Sequence, residues 1–266
     1  MEIVLVKQKL PFTLLFATYS LLNAQTPAPL EPQSKTGGQV EPSKVYVRRF
    51  SLGATLNVQV LPMIKDNSYT QTLTTPVLTT DAATTGRNRR FGYGITGQVA
   101  VTEHFAVAFG AIYRAGGYDA VIRYTAGTDN PTTAVDERQI TDVQETTSFR
   151  YYDFPGLVRY YSPGRHKKGF RWFAEGGGTY RMVNHIKTDR LINDPQGNDS
   201  TDNTPAVPNK KNVLGGTVGV GMQFIDPVGL RVVPEVRYTR WFGQTWNALA
   251  THSERNQIEA IISFTF

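Results

Sequence analysis

Three things are scarce in this sequence: cysteine, charged residues and long apolar runs. Without cysteine the chain has no disulfides, no thiolate metal site and no thiol for a lipoprotein anchor. Asp, Glu, Lys and Arg make up 19% of the 266 residues, which is low for a soluble protein. Beyond the N-terminus no stretch reaches the roughly 20 apolar residues of a membrane-spanning helix. Any membrane insertion of the mature chain must therefore use β-strands.

The net charge of +6 is modest and positive. Such a balance can reflect either nucleic acid or anionic lipid as a partner. Because the chain has no basic helix and no aromatic RNA-binding motif, we expect lipid and no nucleic acid.

The first 24 residues have the pattern of a secretory signal peptide. Lys7 and Lys9 supply positive charge, and the apolar core Leu10–Leu22 is too short to span a membrane comfortably. The small residue Ala24 predicts cleavage after that position; an uncleaved anchor is the alternative. Residues 25–48 are rich in Pro, Gln, Ser and Gly, which predicts a flexible, extended lead-in.

The remainder of the chain contains eight segments in which apolar and polar residues alternate. A period of two is typical of a strand with one apolar and one polar face. In the last segment Ile258, Ala260 and Ile262 alternate with Gln257 and Glu259. The predicted strands are 50–61, 91–101, 105–118, 149–161, 170–183, 213–224, 230–242 and 256–266.

The connections between these strands alternate between long and short, beginning and ending with a long one. Outer-membrane barrels have long extracellular loops, short periplasmic turns and an even number of strands. Strands of about eleven residues suit a tilted crossing of the bilayer, and a closed ring satisfies the backbone polar groups that lipid cannot. We therefore predict an all-β fold: an eight-stranded antiparallel up-and-down transmembrane β-barrel over residues 49–266, in the bacterial outer membrane. The first long loop looks strand-prone at Tyr69–Thr80, which favours a hairpin beyond the membrane.

From Phe50 to Phe266 the chain resembles the small eight-stranded outer-membrane barrels of the OmpA/OmpX type. The resemblance is carried by the signal peptide, the alternating segments, the rhythm of the loops and the terminal phenylalanine. It implies that the last strand, with Phe264 and Phe266 on its apolar face, is an assembly signal for the barrel assembly machinery. It also implies a non-enzymatic role, in membrane structure or in surface interaction through the long loops. We expect no peptidoglycan-binding domain such as the longer members carry, so the resemblance does not imply cell-wall tethering.

One feature cuts against this prediction. Pro155 and Pro234 fall inside predicted strands, where we expect bulges or local breaks. Aromatic residues cluster near the strand ends, which predicts girdles at both membrane interfaces, with Trp241 in the outer one. A soluble lipocalin-like barrel is the rival fold, and it would place the apolar faces inside.

Charged residues on the polar faces of the strands would point into the barrel. The interior of an eight-stranded barrel is filled by side chains, and buried charges must pair. We therefore expect an ion-paired plug, in which Glu175, Glu235 and Glu259 meet Arg181 and Arg237, with glycines at 176–178 and 215–221 making room for the arginines. The full predicted network is Asp153, Arg159, Glu175, Arg181, Glu235, Arg237 and Glu259. A narrow channel for ions or small solutes is the alternative.

Basic residues near the outer rim are candidate contacts to lipopolysaccharide, because arginine fits phosphate bidentately. These residues are Arg87, Arg89, Arg90, Lys210 and Lys211. Ordinary solvated loop charge is an equally good interpretation of each.

The remaining alternative is an enzyme acting on outer-leaflet lipid. His252, Ser253 and Glu254 lie together in the last outer loop. Adjacent residues of an extended chain point in opposite directions, so His252 is poorly placed to activate Ser253. We therefore expect no catalytic residues, no metal and no cofactor; a surface ligand is left open.

Overall fold

The computed structural model describes residues 49–87, 89–129, 131–133, 137–162, 170–194, 196–226 and 229–266. The predicted signal peptide (1–24) and lead-in (25–48) lie outside these residues. In chain order the strands are β1 (Phe50–Gln59), β2 (Asn67–Thr74), β3 (Val77–Gly86), β4 (Phe91–Ala100), β5 (Phe105–Ala126), β6 (Gln139–Ser162), β7 (Arg171–Asn193), β8 (Ser200–Asp202), β9 (Asn212–Ile225), β10 (Arg231–Trp241), β11 (Asn247–Ala248), β12 (Thr251–His252) and β13 (Asn256–Thr265). Within the described ranges no helix is long and apolar enough to cross a membrane.

Eight of these strands close a ring. Their order is β1, β4, β5, β6, β7, β9, β10, β13 and back to β1, and every neighbouring pair is antiparallel. The closing pair runs from Gly53↔Thr265 to Gln59↔Glu259. The predicted eight-stranded antiparallel up-and-down barrel is therefore confirmed.

The two faces of the ring are inverted relative to those of a soluble protein. Along β1 the apolar Leu52 and Leu56 are 50% and 54% exposed, whereas the polar Ser51 and Thr55 are 0% and 3% exposed. The same alternation of exposed and buried residues runs along β13. Lipid is the solvent that suits an apolar exterior around a polar, filled interior. This is a transmembrane barrel of the outer-membrane type, and the lipocalin-like arrangement is excluded.

Three strands continue well beyond their predicted ends and build a sheet outside the membrane. β5 reaches Ala126, β6 begins at Gln139 and β7 reaches Asn193. The first long loop forms the β2–β3 hairpin, as expected, and β3 pairs with the extension of β5. We call this outer part the head; it consists of β2, β3, β8, the outer ends of β5, β6 and β7, and the segments 60–66, 203–211 and 242–255.

The two prolines interrupt the ladder on one side without shifting it. Pro155 pairs with Thr179 on β7, while the pairing with β5 skips from Phe109↔Gly156 to Ile112↔Asp153 in unchanged register. Pro234 likewise pairs with β13, while the pairing of β10 with β9 skips its position. A proline has no N–H for the ladder, so a local break is its natural consequence. The register shift lies elsewhere: residues 184–187 of β7 form a bulge opposite Ser148 and Arg150 of β6.

Candidate functional site

The centre of the lumen holds a closed ring of two arginines and two carboxylates. Arg159 Nε lies 2.6 Å from Glu175 Oε2, and its Nη2 lies 2.5 Å from Glu235 Oε2. Arg237 approaches the other oxygens of the same carboxylates, with Nε 2.7 Å from Glu175 Oε1 and Nη2 2.6 Å from Glu235 Oε1. All four side chains are buried. Each guanidinium therefore bridges both carboxylates, and the ring has no net charge.

A second group of charges lies beside this ring. Arg181 donates two hydrogen bonds to Asp153, with Nε 2.7 Å from Oδ1 and Nη2 2.8 Å from Oδ2. Arg114 donates to both Asp153 and Glu259, which joins β5, β6 and β13 across the lumen. Two arginines again meet two carboxylates, so this group is also neutral. Neutral pairing with several hydrogen bonds offsets the large cost of burying charge.

All of the residues of the predicted network lie inside the barrel, but some partners differ from the expectation. Arg181 pairs with Asp153 rather than with a glutamate, and Glu259 pairs with Arg114. Arg114 was missing from the sequence prediction, although alternation places it inward because its neighbour Tyr113 faces out. The outward positions of β5 gave the signal; the partner of each charge depends on distances across the barrel, which alternation does not contain.

Trp241 was predicted in the outer aromatic girdle, and this was wrong. Its side chain is 3% exposed and points into the lumen, where Nε1 donates to Gln257 Oε1 at 3.0 Å. The guanidinium of Arg181 lies 3.9 Å from the centre of the indole ring. A cation over an aromatic face is attracted to it, and more strongly where water is excluded. Trp241 therefore extends the plug instead of anchoring the barrel in lipid.

Of the glycines that were expected to make room for arginines, those at 219 and 221 make room for other side chains. A Cβ at Gly219 would lie 2.8 Å from Glu175 Oε1, and one at Gly221 would lie 2.5 Å from the ring of Phe173. A Cβ at Gly176 would meet nothing within 4 Å. The inward glycines of β9 thus accommodate a carboxylate and an aromatic ring. A void of 10 Å³ beside Asp153 and Glu259 holds about one water molecule.

An apolar cluster lies above the plug and caps the barrel on the outer side. Its members come from segments far apart in sequence: Met63, Ile64, Tyr118, Ala120, Phe149, Tyr151, Val183, Ala206 and Trp246. Ile64 forms a β-bridge with Ser253, and Lys65 Nζ lies 2.8 Å from Glu254 Oε2. The first and last outer loops are therefore fastened to each other across the mouth of the barrel. Sequence reasoning missed this cap because Met63, Ile64, Ala206 and Trp246 are single apolar positions in polar loops. The other members lie at the outer ends of β5, β6 and β7, and the sequence does not show which loop residues pack against them.

A cleft of 430 Å³ opens in the head beside this cap. The strands β3, β5, β6 and β7 form one wall, and residues 206–209 and 246–251 form the other. Most of the lining is apolar, including Ala82, Ala120 and Trp246. Trp246 is 4% exposed, and the described residues supply no acceptor for its indole Nε1–H.

The polar lining of the cleft is a chain of hydrogen bonds. The hydroxyl of Tyr118 donates to Glu145 Oε1 at 2.7 Å, and Arg190 Nε donates to Glu145 Oε2 at 2.6 Å. Burial raises the pKa of the Tyr118 hydroxyl, so this phenol remains a donor. The hydrogen bond to Glu145 raises the pKa of Arg190. Arg190 Nη1 donates to Asp202 at 2.9 Å, and Nη2 has no acceptor among the described residues.

The predicted lipopolysaccharide contacts fall in two separate places. Arg87, Arg89 and Arg90 lie on the connection between β3 and β4, and all are exposed. Lys210 and Lys211 precede β9, which is four strands away from β4 in the ring of eight and so on its opposite side. The five residues therefore do not form one site.

The residues of the predicted assembly signal lie on the outer face of the last strand. Phe264 and Phe266 are 37% and 62% exposed. The backbone of Phe266 exchanges hydrogen bonds with Leu52 on β1, with its N–H 3.1 Å from the carbonyl oxygen. The terminal residue therefore lies at the seam where the ring closes.

His252 and Ser253 do not form a nucleophile–base pair. The hydroxyl of Ser253 donates to the carbonyl of Trp246 at 3.3 Å, and the ring of His252 contacts Asn247 Oδ1 at 2.9 Å. Ser253 is 4% exposed, so no substrate reaches its hydroxyl without movement of the loop. Its role in this loop is to hold the backbone next to Trp246.

No protein-family model matches this sequence, and no curated protein does. Among solved structures, the outer membrane protein OprG from Pseudomonas aeruginosa is 11% identical with a TM-score of 0.44, covering 81% of this chain and 93% of OprG. Ail, the attachment invasion locus protein of Yersinia pestis, solved with the heparin analogue sucrose octasulfate, is 8% identical with a TM-score of 0.32, covering 82% of this chain and 100% of Ail. LpxR from Salmonella typhimurium is 12% identical with a TM-score of 0.31, covering 81% and 100%. Values this low carry no argument about function, and the fold assignment rests on the closed ring itself.

Proposed function

We propose that this chain is a sealed, non-enzymatic outer-membrane barrel whose role is surface interaction through its head. The observation that carries the proposal is the filled lumen. Four arginines and four carboxylates form two neutral groups across it, and an apolar cluster lies above them. Because the lumen is filled, the surface available for contact with other molecules is the part of the barrel outside the membrane.

The alternative of a narrow channel requires a wet path through these groups. An ion that passes through the centre must separate Arg159 or Arg237 from Glu175 and Glu235. Removing one partner of a buried pair costs about 3–5 kcal/mol, and a barrier of that kind at each layer opposes steady conduction. The void of 10 Å³ beside Asp153 and Glu259 has room for about one water molecule, which is in keeping with a filled lumen.

The cleft beside Trp246 is the part of the head best suited to bind a small ligand. Its volume of 430 Å³ falls in the ordinary range of small-molecule sites, which are mostly apolar with a few directed polar groups. Trp246 and Arg190 both line the cleft, and the buried indole Nε1–H of Trp246 has no acceptor among the described residues. An arginine on a mostly apolar surface suits a small molecule with an apolar body and a carboxylate. A small shift of the loop around Trp246 would let that carboxylate accept from the indole N–H, which is costly to leave without an acceptor.

Conductance tests the sealed barrel. The full chain is refolded into planar lipid bilayers, and insertion is verified by the heat-modifiable shift of the folded band on a gel. Silent insertion is the expected result. Reproducible conductance steps would overturn the sealed plug and move the protein to the channel class.

Indole NMR tests the cleft. The chain has three tryptophans, so ¹⁵N-tryptophan labelling gives three indole resonances, and Trp246→Phe identifies the one of interest. Titration with benzoate, as a probe carboxylate, should shift the Trp246 resonance to saturation and leave those of Trp172 and Trp241 in place. Ala120→Leu, which narrows the cleft, should weaken this response. Equal shifts of all three resonances, or none at all, would contradict a site beside Trp246.

Lipid analysis tests the absence of catalysis. The protein is incubated with lipopolysaccharide and phospholipid vesicles, next to the variants His252→Ala and Ser253→Ala. Unchanged lipid masses in all three samples are expected. A new lipid product that disappears in either variant would establish an outer-leaflet enzyme instead.

A further inference from the structure

A row of three tyrosines marks the outer membrane interface on one side of the barrel. Tyr93, Tyr113 and Tyr152 lie on the outer faces of β4, β5 and β6. Their ring centres are 5.2 Å and 5.5 Å apart. Tyrosines in such a belt keep the ring in the apolar layer and the hydroxyl at the level of the headgroups. Whatever lies directly above them faces the phosphates of the outer leaflet.

Directly above this row the wall of the barrel recedes into a groove of 870 Å³. β3 leaves β5 at Gly86↔Tyr118, and β4 joins β5 at Gly92↔Arg114. The strip of β5 at residues 115–117 is therefore flanked by the irregular connection between β3 and β4. Ala115, Gly117 and Ser148 line the groove, and their small size leaves it deep at this point.

Basic residues from three parts of the chain line the two sides of this groove. Arg87 and Arg89 come from the connection, Arg150 from β6 and Lys187 from β7. Arg150 pairs with Ala115, and Lys187 is opposite Ser148, so both lie on the outer face. The bulge on β7, where His185 has a φ of 51°, lies between their levels and widens this side.

The charge in the groove is largely uncompensated. Arg87 Nε lies 3.2 Å from Asp119 Oδ2 at its upper edge. Within the described parts of the chain, Arg89, Arg150 and Lys187 have no carboxylate within ion-pair distance. Three cations held next to one another without counter-charge repel one another, and an anion placed among them removes that cost.

We propose that this groove binds the phosphate of an outer-leaflet glycolipid, with Arg89, Arg150 and Lys187 as its ligands. Guanidinium groups match phosphate geometry bidentately, and the groove has two of them beside an ammonium. Its level, next to the tyrosine row and on the outer face, selects a lipid headgroup over a soluble phosphate. Of the residues expected from sequence, Arg87 and Arg89 line this site; Arg90, Lys210 and Lys211 do not. The site is separate from the cleft, so it stands or falls independently of the proposed surface role.

The test compares two triple variants with equal loss of charge. Arg89→Gln/Arg150→Gln/Lys187→Gln removes the proposed ligands, and Lys210→Gln/Lys211→Gln/Arg240→Gln is the control on the β9–β10 side. Each full-length protein is reconstituted in phosphatidylcholine nanodiscs doped with lipid A or with dephosphorylated lipid A. Bound lipid is counted by native mass spectrometry, and folding is verified by heat-modifiable migration. All substituted side chains are exposed, so folding should persist.

The wild type and the control should retain lipid A, and the groove variant should bind it about tenfold more weakly or worse. Arg89→Lys/Arg150→Lys, which keeps the charge but loses the bidentate geometry, should fall between them. Equal retention by the groove variant, or an equal loss in the control, would overturn the site. Retention of dephosphorylated lipid A would show recognition of acyl chains instead of phosphate. Displacement of lipid A by millimolar inorganic phosphate would reject a lipid headgroup as the ligand.

Discussion

The buried guanidinium of Arg114 connects β5 to three other strands. Its side chain is 0% exposed, and its guanidinium donates to Asp153 on β6, Glu259 on β13 and Asn57 on β1. Asp153 retains Arg181 if Arg114 is removed, whereas Glu259 loses the arginine that it pairs with. The cost of substitution is therefore concentrated at one carboxylate.

We expect Arg114→Met to lower the free energy of unfolding by about 3–5 kcal/mol, because it leaves Glu259 buried with its charge uncompensated. Reversible urea unfolding in lipid vesicles measures this difference. Adding Glu259→Gln should recover a large part of the loss, since the double variant no longer buries the stranded charge. Arg240→Met, at an exposed position of β10, should change stability by less than about 0.5 kcal/mol. Arg114→Met with wild-type stability would contradict the role assigned to this pair.

Alternation in the sequence was sufficient to assign the direction of most of these side chains. It placed Asp153, Glu175 and Arg237 in the lumen because the residues on either side of each one face outward. Alternation also places Trp241 in the lumen, but its aromatic side chain near a strand end led to the prediction of a girdle position. Arg181 and Asp153 are directly opposite each other on consecutive strands. The pairs Arg159–Glu235 and Arg114–Glu259 could not be predicted, because the long arginine side chain reaches a carboxylate on a strand that is not adjacent.

At the scale of one strand, β9 shows how glycine shapes the lumen. Gly221 faces in, and a Cβ there would lie 2.5 Å from Phe173 Cζ and 2.7 Å from Glu235 Cβ. Gly216 faces out, and a Cβ there would lie 3.4 Å from the ring of Phe242. A side chain larger than that of glycine is therefore tolerated at position 216 but not at position 221 of the same strand.

Gly221→Ala should destabilise the barrel by about 1–3 kcal/mol, because overpacking forces Phe173 and the backbone of β10 to move. Gly216→Ala should leave stability nearly unchanged, since its Cβ enters ordinary contact at the lipid face. Both are measured as shifts in the urea midpoint of vesicle-inserted protein. Equal effects of the two substitutions would reject the steric explanation.

The fastening between the first and last outer loops should respond to pH. The hydrogen bond from Lys65 holds the pKa of Glu254 below its ordinary value. A carboxyl whose pKa is lower in the folded state stabilises that state above its unfolded pKa, and this contribution is lost as pH falls through the folded pKa. The pair is partly exposed, so its contribution is at most about 1 kcal/mol.

A ¹³C-detected titration of the Glu254 carboxyl measures this directly. Its midpoint should lie below that of an ordinary glutamate in the wild type and return towards it in Lys65→Met. A matching change on the other side of the head is not expected, because Asp142 is held by Arg123 instead. An unchanged midpoint in Lys65→Met would show that the ion pair does not form in solution.

Strand extension was the part of each element that sequence predicted least well. Residues 125–145 read as a polar loop because they contain many Thr and Asp residues, yet β5 and β6 remain paired as far as Ala126↔Gln139. Outside the membrane neither face needs to be uniformly apolar, so the alternation that defines the spans fades while the pairing continues. Cross-strand pairs such as Arg123 with Asp142, 2.7 Å apart, stabilise the ladder there.

At the largest scale, the described residues form a ring that closes within the membrane and a head that extends from it. The β2–β3 hairpin pairs with the ring strands only through the extension of β5 beyond Tyr118. At its base Asn67 is paired with Thr84, and Gly86 N–H donates to Asp66 Oδ1 at 2.9 Å. The two ends of the hairpin are thus already adjacent where it leaves the barrel.

Replacing residues 68–83 with Asn-Gly, which forms a tight two-residue turn, should leave a closed, heat-modifiable barrel. The pairs that close the ring, from Gly53↔Thr265 to Gln59↔Glu259, lie outside the excised segment. The same deletion removes Ala82 from the wall of the cleft, so the benzoate response of the Trp246 indole should be lost or weakened about tenfold. A shortened chain that no longer folds would show that the head is needed to close the ring. A folded barrel with an undiminished response would show that the cleft does not depend on this wall.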